Sequence, residues 1–164
     1  MDTLTAIKLR HSTREFIDRP VPRDVLETIA DAGRRAPTAR NEQPWLFVAI
    51  TEPSMREKIA ELTDYGRFIA AAPACIAVFC KDTKYYLEDG CAAVENMLIA
   101  ATALGVQSCW VAGDKKAYCP AVAQLLGVPA GHKLIALLPM GYAALRGGQK
   151  PRRSLSEVLR WEKY

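Results

Sequence analysis

Apolar positions along the 164-residue chain fall into two kinds of stretch. In residues 3–10, 23–34, 52–63, 87–104 and 118–126 they recur every three or four positions, which predicts helices. In "WLFVAIT" (45–51), "ACIAVFC" (74–80), "VQSCWVA" (106–112) and "KLIALLPMGY" (133–142) they run on almost unbroken, which predicts strands.

The punctuation between these stretches agrees with them. Asp2 or Thr3 can cap the first helix, with Leu4 and Ile7 on one face. Pro20 and Pro22 mark a loop, and Val25, Leu26, Ile29 and Ala30 then give the second helix its stripe until Pro37 bars continuation. Pro53 suits the first turn of the third helix. The second half of 87–104 is apolar nearly all round, so that helix is expected to be covered on more than one side, with Gly105 at its C-terminal end. Met97 and Met140 read as core filler. Ser154 and Glu157 have capping-box spacing for a short terminal helix.

Strand and helix alternate, so a doubly wound dinucleotide-binding fold is the first architecture to test. It fails at the turn after the first strand, which reads "EPSMRE" and holds no glycine; neither G-x-G-x-x-G nor a P-loop occurs elsewhere. A bound phosphate would therefore have to be met by side chains.

Composition narrows the class. Half the residues are apolar and 24% are charged, as in an ordinary globular domain, and one domain over 1–164 is expected. The net charge of +4 is scattered apart from Arg34–Arg35, Lys115–Lys116 and "KPRR" (150–153), so no nucleic-acid stripe is drawn. Cysteines stand at 75, 80, 91, 109 and 119 without a C-x-x-C pair, and their odd number suits a reducing compartment. The longest uncharged run, 96–113, is interrupted by Asn96, Gly105, Gln107 and Ser108 and is not the roughly 18-residue apolar stretch of a membrane span, and "MDTLTAIKLRHS" lacks a secretion signal's cationic start. The expectation is a cytoplasmic protein with no membrane partner and no metal site.

Candidate chemistry concentrates in "RHSTREF" (10–16). An arginine at a helix C-terminus can simply cap it. Ser12 and Arg14 lie past that end, and a guanidinium beside a hydroxyl also grips phosphate. Lys150 and Arg152 would add to such a site if the tail folds back, and would otherwise be solvated. "APTARNEQPW" (36–45) holds Thr38, Asn41 and Gln43 between two prolines, a stiff polar loop suited to the edge of a planar ring or to a plain connection.

"RHSTREF" and "APTARNEQPWLF", followed in order by "ALGVQSCWVAGD", "PMGYA" and "KPRRSLSEV", resemble the nitroreductase superfamily of FMN-dependent oxidoreductases across nearly the whole chain. The resemblance implies an α+β fold of three α/β/α layers, with a mixed central sheet and a tail (150–164) that embraces a partner subunit. It implies that Arg10, Ser12, Lys150 and Arg152 bind the FMN phosphate, and that His11 contributes along the ribityl chain or ring. Arg14 would lie at the pyrimidine end of the ring. Pro37, Thr38, Ala39, Asn41 and Gln43 match the loop that reaches the flavin, often from the other subunit. Trp110, Val111, Ala112 and Gly113 match the strip across the ring's other face, where Gly113 would permit close approach; Trp110 equally suits a core strand.

By the same resemblance the protein is a homodimer with FMN at its interface. NAD(P)H is its transient co-substrate, and the electron acceptor is a nitroaromatic, quinone or similar electrophilic small molecule. The alternative is a flavin-binding or electron-transfer protein without nicotinamide turnover. Two departures bear on substrate choice. "TDYGRFIAAAPAC" runs from helix to strand without the extra roofing helices of many members, and neither Asn nor Lys stands at the middle position that often touches the pyrimidine edge, leaving Tyr65 and Arg67 as nearby candidates. Cys109 reads as packing.

Overall fold

The computed structural model describes residues 1–143 and 150–164. Its helices are α1 (Thr3–Leu9), α2 (Arg23–Gly33), α3 (Pro53–Leu62), α4 (Tyr86–Ala103), α5 (Cys119–Leu125) and α6 (Leu155–Val158). Its strands are β1 (Trp45–Ile50), β2 (Ala74–Lys81), β3 (Gln107–Ser108), β4 (Val111–Ala112) and β5 (His132–Gly141). The Asp2 carboxylate accepts from the Thr5 N–H and caps α1. Gly105, at φ +78°, ends α4, and the Val106 N–H closes back on the Ala101 carbonyl at 2.8 Å.

The sheet runs β1-β2-β5-β3, and every pairing between its strands is antiparallel; its parallel contact is a single bridge between Ser12 and Ser108. The expected strand 106–112 is two short strands. Both lie along the same edge of β5, β3 against Met140–Gly141 and β4 against Ala136–Leu137, and the chain breaks from the ladder around Cys109–Trp110. Between Val78 and Phe79 the β2–β5 register slips. Ile135 and Ala136 consequently both face the same layer, where strict alternation would have sent one to each side.

The two faces of β2 sort into the two outer layers. Ala74, Ile76, Val78 and Cys80 pack with Leu26 and Ile29 of α2 and Val94, Met97 and Leu98 of α4. Cys75, Ala77 and Phe79 pack with Ile59 of α3, Ile69 and Val122 of α5. Met97 and Met140 are fully buried, as expected.

Two apolar sets stay outside this core. Ala6 is the buried residue of α1, while Leu4 and Ile7 face solvent. Every residue from Lys150 to Tyr164 is exposed, including Leu155 and Trp161. Ser154 and Glu157 form the expected capping box at α6. Among the described residues no helix is long and apolar enough to cross a membrane.

Candidate functional site

The "RHSTREF" segment leaves α1 and docks on β3. The Arg10 N–H donates to the Ala6 carbonyl at 2.9 Å and closes the helix. Two residues on, Ser12 bridges Ser108, and the N–H of buried Thr13 donates to the Ser108 carbonyl at 2.9 Å. The backbone thus does the capping, and the Arg10 guanidinium goes elsewhere: its Nε lies 3.3 Å from Glu95 Oε1 on α4. Glu95 gave no sequence signal, because a single acid on a helix face is ordinary.

Arg10, His11, Ser12 and Arg14 line one cavity of about 210 Å³ together with Lys150 and Arg152. Residues some 140 positions apart in sequence meet there, and four of the six are cations. His11 donates from Nδ1 to the Leu9 carbonyl at 3.0 Å, and its Nε2 is buried without a hydrogen-bond partner among the described residues.

Arg14 also lines a second cavity of about 210 Å³, so the two share a wall. Its guanidinium sits 5.8 Å from the Phe68 ring centroid, a cation–π contact. Trp110, Val111 and Ala112 line the same slot, with Tyr65 and Tyr118. Trp110 is 36% exposed, so it is a slot residue and not the core aromatic that its strand allowed. At the rim, Lys116 Nζ lies 3.2 Å from Asp64 Oδ2 and 5.5 Å from the Tyr65 ring centroid. Phe68, Tyr118, Asp64 and Lys116 escaped the sequence reading. Asp64 and Lys116 are 52 positions apart, and Phe68 sits in an apolar run that reads as core.

Two groups beside the slot are held protonated. The Tyr118 hydroxyl donates to the Ala112 carbonyl, and burial pushes its pKa up to about 12, helped by Cys119 and Asp64. Burial also raises the Cys109 thiol, although Arg14 and a hydrogen bond with Ser12 pull the other way. Cys109 is 2% exposed and packs as expected.

Gly113 does not line the slot; the close approach that requires a glycine there is to β5. A Cβ at Gly113 would come within 2.7 Å of the Ile135 carbonyl carbon, and the Gly113 N–H already donates to the Ile135 oxygen at 3.0 Å. This glycine fits the backbone bulge.

The loop 37–43 stands apart from both cavities. Pro37, Asn41 and Gln43 are exposed, while Thr38 and Ala39 are half-buried. Arg40, Asn41 and Gln43 have φ of +56°, +58° and +48°, the left-handed region where side chains other than glycine carry strain. The Gln43 N–H donates to Thr38 Oγ1 at 3.2 Å, and the Ala39 N–H donates to Asp89 Oδ1 at 3.2 Å. Within one chain, then, Arg10–Arg14, Lys150 and Arg152 come together with the 110–112 strip, and the loop does not join them.

The sequence pattern of the nitroreductase family matches this chain over residues 7–72 and 65–142. A Methanothermobacter thermautotrophicus protein provisionally named NADH dehydrogenase/NAD(P)H nitroreductase is 33% identical, over 92% of this chain and 82% of its own length. A crystal structure of a Parabacteroides distasonis protein with the same provisional name superposes with a TM-score of 0.93 at 25% identity, covering 99% of this chain and 98% of that one. A provisionally named nitroreductase from Desulfovibrio desulfuricans, solved in complex with FMN, is 30% identical with a TM-score of 0.83, covering 100% and 98%.

Proposed function

The chain belongs to the nitroreductase family, and from that premise we propose that it is an FMN-dependent oxidoreductase. It takes hydride from NADH or NADPH and reduces nitroaromatics, quinones or similar electrophilic small molecules in a ping-pong cycle. The observation that carries this reading is the wall shared at Arg14 between a cavity with four cations and a slot with aromatic sides. A molecule with a phosphate at one end and a planar ring at the other matches that pair.

The residues present fit FMN. Arg10 engages Glu95 through Nε, which leaves the fork of its guanidinium to face an anion alongside the Ser12 hydroxyl, Lys150 and Arg152. His11 Nε2, buried and unpartnered, offers one more polar contact. When bound, FMN supplies two-electron acceptance and donation. Arg14 holds positive charge where the slot meets the cavity and favours negative charge on the adjoining ring edge. Trp110, Val111 and Ala112 supply one wall and fix the ring's orientation. Tyr118 keeps its proton and braces Ala112, so it serves as a strut and not as an acid. Protons for the acceptor come from solvent at the open rim.

We further propose a two-fold dimer that completes the site. Leu155, Val158, Leu159 and Trp161 are apolar and exposed, as are Leu4 and Ile7 on α1, and burying them at about 25 cal/mol per Å² favours association. The loop 37–43 would then reach the ring from the second subunit, bringing Pro37, Thr38, Ala39, Asn41 and Gln43 to the flavin.

The test is an absorbance spectrum of the purified protein followed by anaerobic titration with NADH and NADPH. Flavin absorbance that bleaches with either nicotinamide is expected. A protein that takes up no FMN overturns the reading, and a flavin that neither nicotinamide bleaches replaces it with a flavin-carrying or electron-transfer role.

A further inference from the structure

We propose that Asp89 is the positioning residue for the flavin-facing loop 37–43; this rests on the flavin reading above. Asp89 stands on the first turn of α4, 50 positions from the loop, and is 5% exposed. Its Oδ1 accepts the Ala39 N–H at 3.2 Å. Every other hydrogen bond of residues 38–43 among the described residues stays inside the loop: Asn41 N–H to the Thr38 carbonyl, Glu42 N–H to the Ala39 carbonyl, and Gln43 to Thr38 Oγ1 and the Asn41 carbonyl. Asp89 is thus the one hydrogen-bonded tie between the loop and the rest of the subunit.

The loop needs such a tie. Left-handed backbone at Arg40, Asn41 and Gln43 is strained and relaxes unless its surroundings hold it. Fixing the Ala39 N–H fixes the start of the 39–41 turn, and that turn sets where Asn41 and Gln43 are presented. The side chain is also poorly suited to a merely structural task. Its second oxygen, Oδ2, is buried with no partner among the described residues, and a carboxylate left half-satisfied in a core destabilises it. The neighbouring Cys80 thiol is a weak donor whose own ionisation burial and the Asp89 charge both oppose. What Asp89 returns for its desolvation is the geometry of the loop.

The experiment compares FMN and riboflavin affinities of full-length Asp89→Asn, Asp89→Leu and Ala39→Pro with the parent and Arg10→Ala. Asparagine keeps an acceptor oxygen, so Asp89→Asn should stay within about twofold of the parent for both flavins. Asp89→Leu should lose roughly tenfold for FMN and riboflavin alike, the scale of one lost hydrogen bond, because the loop serves the ring. Arg10→Ala should lose FMN and spare riboflavin. Ala39→Pro removes the same hydrogen bond from the donor side, at a first-turn position that accepts proline, and leaves the core untouched. It should reproduce the leucine loss, and the double variant Asp89→Leu/Ala39→Pro should be no worse than either single one. An unaltered riboflavin affinity in Ala39→Pro or in a folded Asp89→Leu, or additive losses in the double variant, overturns the proposal. A parent protein that binds neither flavin overturns the flavin reading beneath it.

Discussion

The basic cavity has two walls of different construction. Arg10–Arg14 is fixed by the Ser12–Ser108 bridge and the Thr13 hydrogen bond to a sheet with fully buried strands. Lys150 and Arg152 belong to a tail in which no described residue is buried. One wall is therefore a property of the single chain. The other has its charges in place but none of the apolar burial that would hold them there, and its unburied Leu155, Val158, Leu159 and Trp161 show what is missing.

The harshest way to break this contrast is to delete residues 154–164. If the tail's apolar set docks on a partner, truncation abolishes dimerisation and flavin retention together, while the sheet's cooperative melting survives. Sedimentation and the flavin spectrum of the truncated protein measure both. A truncated chain that remains a yellow dimer would mean that the tail wall contributes neither assembly nor charge.

A second comparison uses single side chains. Phe79 of β2 is fully buried in the layer with Ile59 of α3 and Val122 of α5, and Phe79→Ala should destabilise the folded chain by about 3–5 kcal/mol through lost contacts and a cavity. Trp161 is 77% exposed. Trp161→Ala should leave the melting of a dilute chain unchanged and weaken only the proposed dimer. Denaturant titrations at two protein concentrations separate the outcomes, and a large loss for Trp161→Ala at the lower concentration would contradict the exposed tail.

How far the sequence foretold these walls follows from the range of each signal. The unbroken apolar run 74–80 and the stripe at Leu26 and Ile29 are local, and β2 and α2 formed where they predicted. The basic residues of both walls were legible too, because charge clustered next to a hydroxyl is visible one residue at a time. The break at Cys109–Trp110 was not, since it lies opposite Pro139 of β5, which accepts from the Cys109 N–H but has no N–H to return, and only the folded sheet sets that pairing. Nor was Asp89, an acid in a helix's first turn like many others until the loop 50 positions away folds onto it. Phe68 and Tyr118 became slot residues for the same reason: apolar or aromatic character says that a side chain seeks cover, and the tertiary fold decides which side of a cavity supplies it.

The anchored wall can be weakened without touching the tail. Arg10→Ala should reduce FMN affinity by roughly 1.5–3 kcal/mol, the scale of a charge-assisted hydrogen bond, and leave riboflavin binding unchanged. Calorimetric titration with the two flavins gives the difference directly. Equal losses for both would place Arg10 in holding the fold through Glu95, with no direct hand on a phosphate.

The smallest effect belongs to acid, and it sharpens the contrast because the tail wall's helix is capped by a carboxyl, whereas the segment 12–13 is held to the sheet by backbone contacts. Ser154 holds the Glu157 carboxyl below its ordinary value of 4.5: the Ser154 hydroxyl donates to Oε2 at 2.8 Å, its N–H donates to the same oxygen at 2.8 Å, and Arg153 stands near. A carboxyl with a depressed folded value stabilises its element at pH above the unfolded value, and that stabilisation is lost as pH falls through the folded one. The cap of α6 should therefore be intact at neutral pH and loosen below 4.5, while the Ser12–Ser108 bridge, a backbone contact, has nothing to titrate. Because Glu157 is fully exposed the change is small and weakens with added salt. Glu157→Gln keeps capping-box hydrogen bonds without the charge, so its tail should show a flat profile over the same range. Carbon chemical shifts of residues 155–158 followed by NMR from neutral to acid pH in both proteins report it, and identical profiles would show that the loosening, if any, comes from elsewhere in the chain.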